Sequence, residues 1–175
     1  MNVRTMLLAA IPVLGGAGVM AQQNQGPAQN AAGASPEVQV VHVLSLAGAE
    51  KAIDAAHALA IKRGAGGAIA VVDAGGHLIA LHRLDGTFPA AADVATDKAR
   101  TAATFCKPTS AFEDAIRGGR VALVGVKEMT PLQGGIPILH DGFVVGAIGV
   151  SGSHSAAEDE EISKAGADAV SSSAQ

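Results

Sequence analysis

Few residues in this chain have types and spacings that can do chemistry, and Lys98 is the first of them. Its neighbours at three and four residues are Val94, Ala95, Thr101 and Ala102 on a helical pattern, while Asp93, Asp97, Arg100 and Lys107 fall at other angles. A lysine on an apolar stripe must snorkel or meet an anion, because a buried unpaired ammonium is costly. Two readings stay open. Lys98 is a pocket cation for a carboxylate ligand, or it closes a structural ion pair, for example with Asp73. The second place is Gly146-Ala147-Ile148-Gly149-Val150-Ser151-Gly152, a glycine-rich strand end that feeds a helix. Backbone N–H groups at such a start favour carboxylate or phosphate. The spacing is not that of a dinucleotide fingerprint, and close helix–sheet packing would ask for the same glycines.

The six histidines are His42, His57, His77, His82, His140 and His154. None has zinc-finger or metalloprotease spacing. Glu50, Asp54 and His57 share one helical stripe, which either holds a metal weakly or is a solvated face. His140, beside a turn, is expected to be exposed, and His154 could face the anion site. No Gly-x-Ser-x-Gly elbow is present. The single Cys106, in Ala102-Ala103-Thr104-Phe105-Cys106, reads as a buried, inert thiol without a base beside it.

The elements that must position these residues are legible from periodicity. Leu46–Arg63 predicts a helix stopped by Gly64, with Leu46, Ala49, Ile53, Ala56 and Ala60 on one face. Ala68–Asp73 and Leu78–Leu84 are β runs joined by Ala74-Gly75-Gly76-His77 as a hairpin. Pro89 opens a second helix that runs to about Cys106, and Ser110–Arg117 is a short third, ended by Gly118-Gly119. Ile136–His140 and Phe143–Val150 flank Asp141-Gly142, a strong hairpin signal, and Pro137 puts the first of them at an edge or itself at that strand's beginning. Ser155-Ala156-Ala157-Glu158 is a capping box that opens a last helix to about Val170. The order helix, hairpin, helices, hairpin, helix gives an α+β fold with a central antiparallel sheet of four to five strands flanked by helices. Lys127–Gly134 is the fifth strand if there is one.

Composition narrows the partners. The 175 residues hold 12 Lys+Arg against 16 Asp+Glu, a net charge of −4, which disfavours nucleic acid. The chain is 49% hydrophobic but only 2% aromatic, so its core is built from small side chains. Arg4, the apolar run Met6–Met20 and Val19-Met20-Ala21 read as a secretory signal peptide over residues 1–21, too short and interrupted for a stable membrane span. Residues 22–45 read as a flexible linker, Gln22–Ser35 being without charge, residues 46–170 as one domain and 171–175 as a frayed tail. The expected location is therefore periplasmic or extracellular.

Val71-Val72-Asp73-Ala74-Gly75-Gly76-His77-Leu78, Arg83-Leu84-Asp85-Gly86 and Asp97-Lys98-Ala99-Arg100-Thr101-Ala102 resemble, in order and spacing, the GlcG/HbpS-like haem-binding family. Pro131-Leu132-Gln133-Gly134-Gly135-Ile136-Pro137-Ile138, Asp141-Gly142 and the 146–152 run extend the resemblance over Leu46–Val170. It also reaches the C-terminal domain of PduO-type cobalamin adenosyltransferases. The resemblance implies a compact α/β domain that self-associates into a homo-oligomer, with some members binding haem, other tetrapyrroles or iron.

On that reading the protein is an exported, non-covalent haem or tetrapyrrole binder, since no Cys-x-x-Cys-His is present for covalent attachment. His77 and His82, beside the first hairpin, are the candidate iron ligands. Arg83, Lys98 and the helix start at Gly149 and Gly152 would take the propionates. The alternatives are a protein or enzyme for a small oxygenated carboxylic acid, using Asp73, His77 and Lys98, and a non-catalytic assembly scaffold.

Overall fold

A computed structural model describes residue 37 and residues 41–171. The expected signal peptide and most of the linker lie outside the described residues, as do positions 172–175 of the tail.

Helix α1, Leu46–Arg63, has Ser45 as its N-cap, whose Oγ accepts the Gly48 N–H at 3.1 Å. Gly64 ends it at φ +64°, a left-handed conformation that costs glycine nothing. Strands β1 (Ala68–Asp73) and β2 (Leu78–Arg83) form the first hairpin. Helices α2 (Ala91–Thr104) and α3 (Ser110–Arg117) follow, then a 3-10 turn at Val121–Gly125. Strands β3 (Gly135–His140) and β4 (Phe143–Ser151) make the second hairpin, and α4 spans Ala156–Val170. The Asp141-Gly142 turn has both residues at positive φ, +50° and +83°. That is the turn which matches the twist of its strands.

The fold is α+β as expected, with one antiparallel four-stranded sheet in the order β2-β1-β4-β3. Pro137 does lie on an edge strand, β3, where its missing donor breaks no ladder. Among the described residues no fifth strand forms. In the segment 127–134 the Thr130 N–H donates to Thr101 Oγ1 and the Gln133 N–H to Glu113 Oε2, while Glu128 and Gly134 adopt positive φ. Backbone groups bonded to side chains in this way are not available to a ladder.

Alternation along β1 separates the layers. Ile69 and Val71 pack with Ala49, Ile53, Ile148, Val150 and Ile162, on the α1/α4 face of the sheet. Ala68 and Ala70 meet Ala91 and Ala95 of α2 on the other face, and Ala147 meets Ala99, Ala102 and Ala103. Small residues thus dominate the α2 face, with Val72 the larger side chain among them, and they let α2 lie very close to the sheet. A Cβ at Gly149 would fall 2.6 Å from the Ala99 nitrogen and nearer still to the Ala95 carbonyl oxygen. Gly149 is thus the packing surface for α2.

Two local expectations need correction. Helix α2 ends at Thr104, so Cys106 follows it at φ +54° and is exposed, not buried. In the capping box Ser155 Oγ accepts the Glu158 N–H at 3.2 Å as expected, but the Glu158 carboxylate takes the N–H of His154, one residue before the cap, at 2.9 Å.

Candidate functional site

An open groove lies where α1 meets the outer strand β2. Glu50, Asp54, His57 and Ile61 recur at four, three and four residues, which sets them on one stripe of α1. His82 pairs with Ile69 across the ladder and so belongs to the α1 face of β2. Its Nε2 lies 3.7 Å from Glu50 Oε2, close enough for charge attraction but too long for a hydrogen bond. The groove is about 530 Å³ and is lined by His57, Ile61, His82, Arg83, Leu84 and Asp85. Arg83 pairs with Ala68 and so starts from the opposite face, but β2 is an edge strand, where a long side chain can wrap round. Two imidazoles, one guanidinium and two aliphatic side chains thus share one concavity. The stripe was readable from the sequence as a metal holder or a solvated face. Its meeting with His82, 25 positions from His57, was not.

His77 is not part of this groove. It sits on the β1–β2 turn, five residues before His82, or about 16 Å along a strand at 3.3 Å per residue. Its side chain is exposed, and its N–H donates to Asp73 Oδ1 at 2.9 Å with the ring Nδ1 3.3 Å from both carboxylate oxygens. Partial burial alone would raise the Asp73 pKa, but the hydrogen bonds and charge of His77, with the Gly75 N–H, hold it below the ordinary value.

Lys98 is removed from any surface ligand. It is 3% exposed, and its ammonium donates to Asp159 Oδ2 at 2.8 Å and to the Val150 carbonyl at 2.9 Å. The partner of the ion pair is therefore Asp159 and not Asp73. Asp73 is paired with Gly146 on β4, four residues from Val150, about 13 Å along the strand. Asp73 and His77 are consequently not brought together with Lys98 as a site for a small acid. Gly134 makes the buried pair possible: a Cβ there would lie 2.9 Å from both Lys98 Nζ and Asp159 Cβ.

The helix start after residues 146–152 is likewise taken, by the chain's own carboxylates. The Ser153 N–H donates to Asp159 Oδ1 at 3.0 Å, and the His154 N–H to Glu158 Oε2. The His154 backbone N–H, then its side chain and Arg63, hold Glu158 below the usual carboxylate range. Gly149 faces α2 and Gly152 packs against Gly67, so neither offers an open N–H cradle to a propionate.

A second cleft of about 220 Å³ separates His42, Leu44 and Gly48 from His140, Val145 and Val170, with the two histidine rings 5.6 Å apart. His140 is exposed as expected. Leu44, at the end of the expected linker, donates its N–H to Val145 and packs on the core. Among the described residues no cluster of three or more His, Cys, Asp or Glu is set to hold a metal ion, and no helix is long and apolar enough to cross a membrane.

Comparison with known proteins adds the family. Residues 44–168 match the family described as "Haem degrading protein HbpS-like". Protein GlcG of Escherichia coli strain K12 is 47% identical over 83 residues, 47% of this chain and 62% of GlcG, so the match spans about three-fifths of that relative. A crystal structure of a double mutant of Streptomyces reticuli HbpS superposes with a TM-score of 0.73 at 33% identity, covering 83% of this chain and 99% of that one. The crystal structure of a PduOC:heme complex shares the fold, with a TM-score of 0.65 at 23% identity over 73% of this chain and 94% of that one.

Proposed function

Since the chain belongs to the HbpS-like family, we propose that it binds haem without a covalent bond, in the groove between α1 and β2. The observation that carries this reading is the donor set in that groove, His57 and His82 beside Ile61, Leu84 and Arg83. Imidazole nitrogen is a common protein ligand of haem iron, and the groove volume falls in the range of small-molecule sites. The residues fit the group: His82 or His57 would meet the iron, Arg83 a propionate, and the aliphatic pair the ring face. Bound haem would supply an iron centre at an exposed edge of the sheet. The haem-degrading description of the family and the heme-complex neighbour support the same ligand class.

Titrating hemin into the mature chain tests this. A Soret band that shifts on binding is expected, weakened at least tenfold in His57→Ala or His82→Ala and unchanged in His77→Ala. A band retained in both groove variants removes the groove as the site.

Export and self-association belong to the same reading. Arg4 and the apolar run to Met20 support secretion, which N-terminal sequencing of exported protein beginning at Gln22 would bear out. Val121, Val124 and Leu132 are exposed aliphatic side chains that a second copy would cover. Light scattering that returns a monomer at micromolar concentration overturns that part.

A further inference from the structure

Charge around the groove is lopsided, and this bears on which tetrapyrroles it accepts. Arg83 is the cation among its lining residues, while Asp85 lines it too and Glu50 stands 3.7 Å from His82. Asp54 continues the Glu50–His57 stripe and is exposed. Of the nearby cations on α1, Arg63 is engaged by Glu158 and Glu161 of α4. Lys62 and Lys51 lie about 100° round the helix from Ile61 and Glu50, each being the next residue along.

Resting on the haem reading above, we infer that the groove selects tetrapyrroles whose carboxylates lie along one edge of the ring and turns away those with carboxylates around it. One edge can meet Arg83. Asp85 in the lining, with Glu50 and Asp54 on the adjoining stripe of α1, would set a like charge against a further carboxylate. Exposed like charges a few ångströms apart repel at water-like to intermediate dielectric, enough for about three- to tenfold weaker binding per added carboxylate at low salt. Salt should shrink the difference, because the groups are solvent-exposed.

The test compares iron protoporphyrin, with two carboxylates on one edge, and iron coproporphyrin, with four distributed round the ring. Soret titrations use the mature chain in about 20 mM and about 500 mM salt, spanning weak to strong screening. At low salt the protoporphyrin should bind at least tenfold tighter. High salt should narrow that ratio, and so should the Glu50→Gln/Asp85→Asn variant, which removes two of the three carboxylates. Both positions are on the surface, and circular dichroism checks that the variant keeps its fold. Equal affinities in the wild type, or a ratio that neither salt nor the variant changes, overturn the inference while leaving the haem reading intact. Failure of both porphyrins to bind overturns the haem reading itself.

Discussion

Replacing Lys98 with Met tests whether its ammonium is a structural partner or a ligand contact. Met keeps the length of the lysine stem and suits the alanine-lined layer around it, so packing is nearly preserved. What is lost is the charge opposite Asp159. The side chains of the pair are 4% and 9% exposed, and the two atoms are 2.8 Å apart. After the change Asp159 keeps only the Ser153 N–H at 3.0 Å, and the Val150 carbonyl loses a donor. A surface pair would be worth about 0–1 kcal/mol, but stranding one partner of a buried pair costs about 3–5 kcal/mol. A single domain has about 5–15 kcal/mol to lose, so the variant should fold but melt far earlier. Urea unfolding should show a lower midpoint with unchanged slope. Lys98→Met/Asp159→Leu should fall short of the summed single losses by at least about 2 kcal/mol, because the two sites share one interaction. Hemin affinity of the folded fraction should stay as it is, since the groove lies elsewhere. A loss below about 1 kcal/mol, or additive singles, would refute the argument.

Gly149→Ala should destabilise by about 1–3 kcal/mol or more in the same unfolding assay, because its Cβ meets backbone atoms of Ala95 and Ala99 that cannot turn aside. Ser155→Ala should cost about 1 kcal/mol, as expected for the loss of an N-cap oxygen, and hydrogen exchange should quicken in the first turn of α4. For Asp73 the folded-state pKa is lowered, so its carboxylate contributes stability above the unfolded value of about 3.9 and loses it as pH falls through the folded value. The Asp73→Asn variant should therefore be less stable than wild type at pH 6, and the gap should close towards pH 2. A gap that persists at pH 2 would mean the charge is not its cause.

The parts of the fold that were legible are those whose cause is local. Gly64, Asp141-Gly142 and Ser155 each satisfy a geometric demand within four residues of themselves, and all three sit where that demand arises. The segment 127–134 looked free to pair because nothing nearby consumes its N–H groups. The groups that do, Thr101 and Glu113, come from α2 and α3. Lys98 shows the same division. Its apolar stripe announces a partner, but that partner is 61 positions away, and in sequence Asp159 reads as an ordinary acid in a helix's first turn.

The groove was half legible, and for a physical reason that also explains the composition. In β1 the large residues Ile69 and Val71 alternate with Ala68 and Ala70, so the face bearing α1 and α4 can be told from the face bearing α2. His82, paired with Ile69, belongs to the first of these. What the alternation cannot give is the distance at which each layer rests. On the α2 face alanines and Gly149 bring the helix down onto the strands and close that side. On the other face the aliphatic side chains Ile69 and Val71 pack against α1 and α4, and β2 is the half-exposed edge of the sheet. The sheet therefore stays open along β2, where His57 and His82 face the same space. The paucity of aromatic residues is thus no sign of a missing core: alanines and Gly149 close the α2 layer, alanines and branched aliphatic side chains fill the other, and that second face carries the groove at its β2 edge.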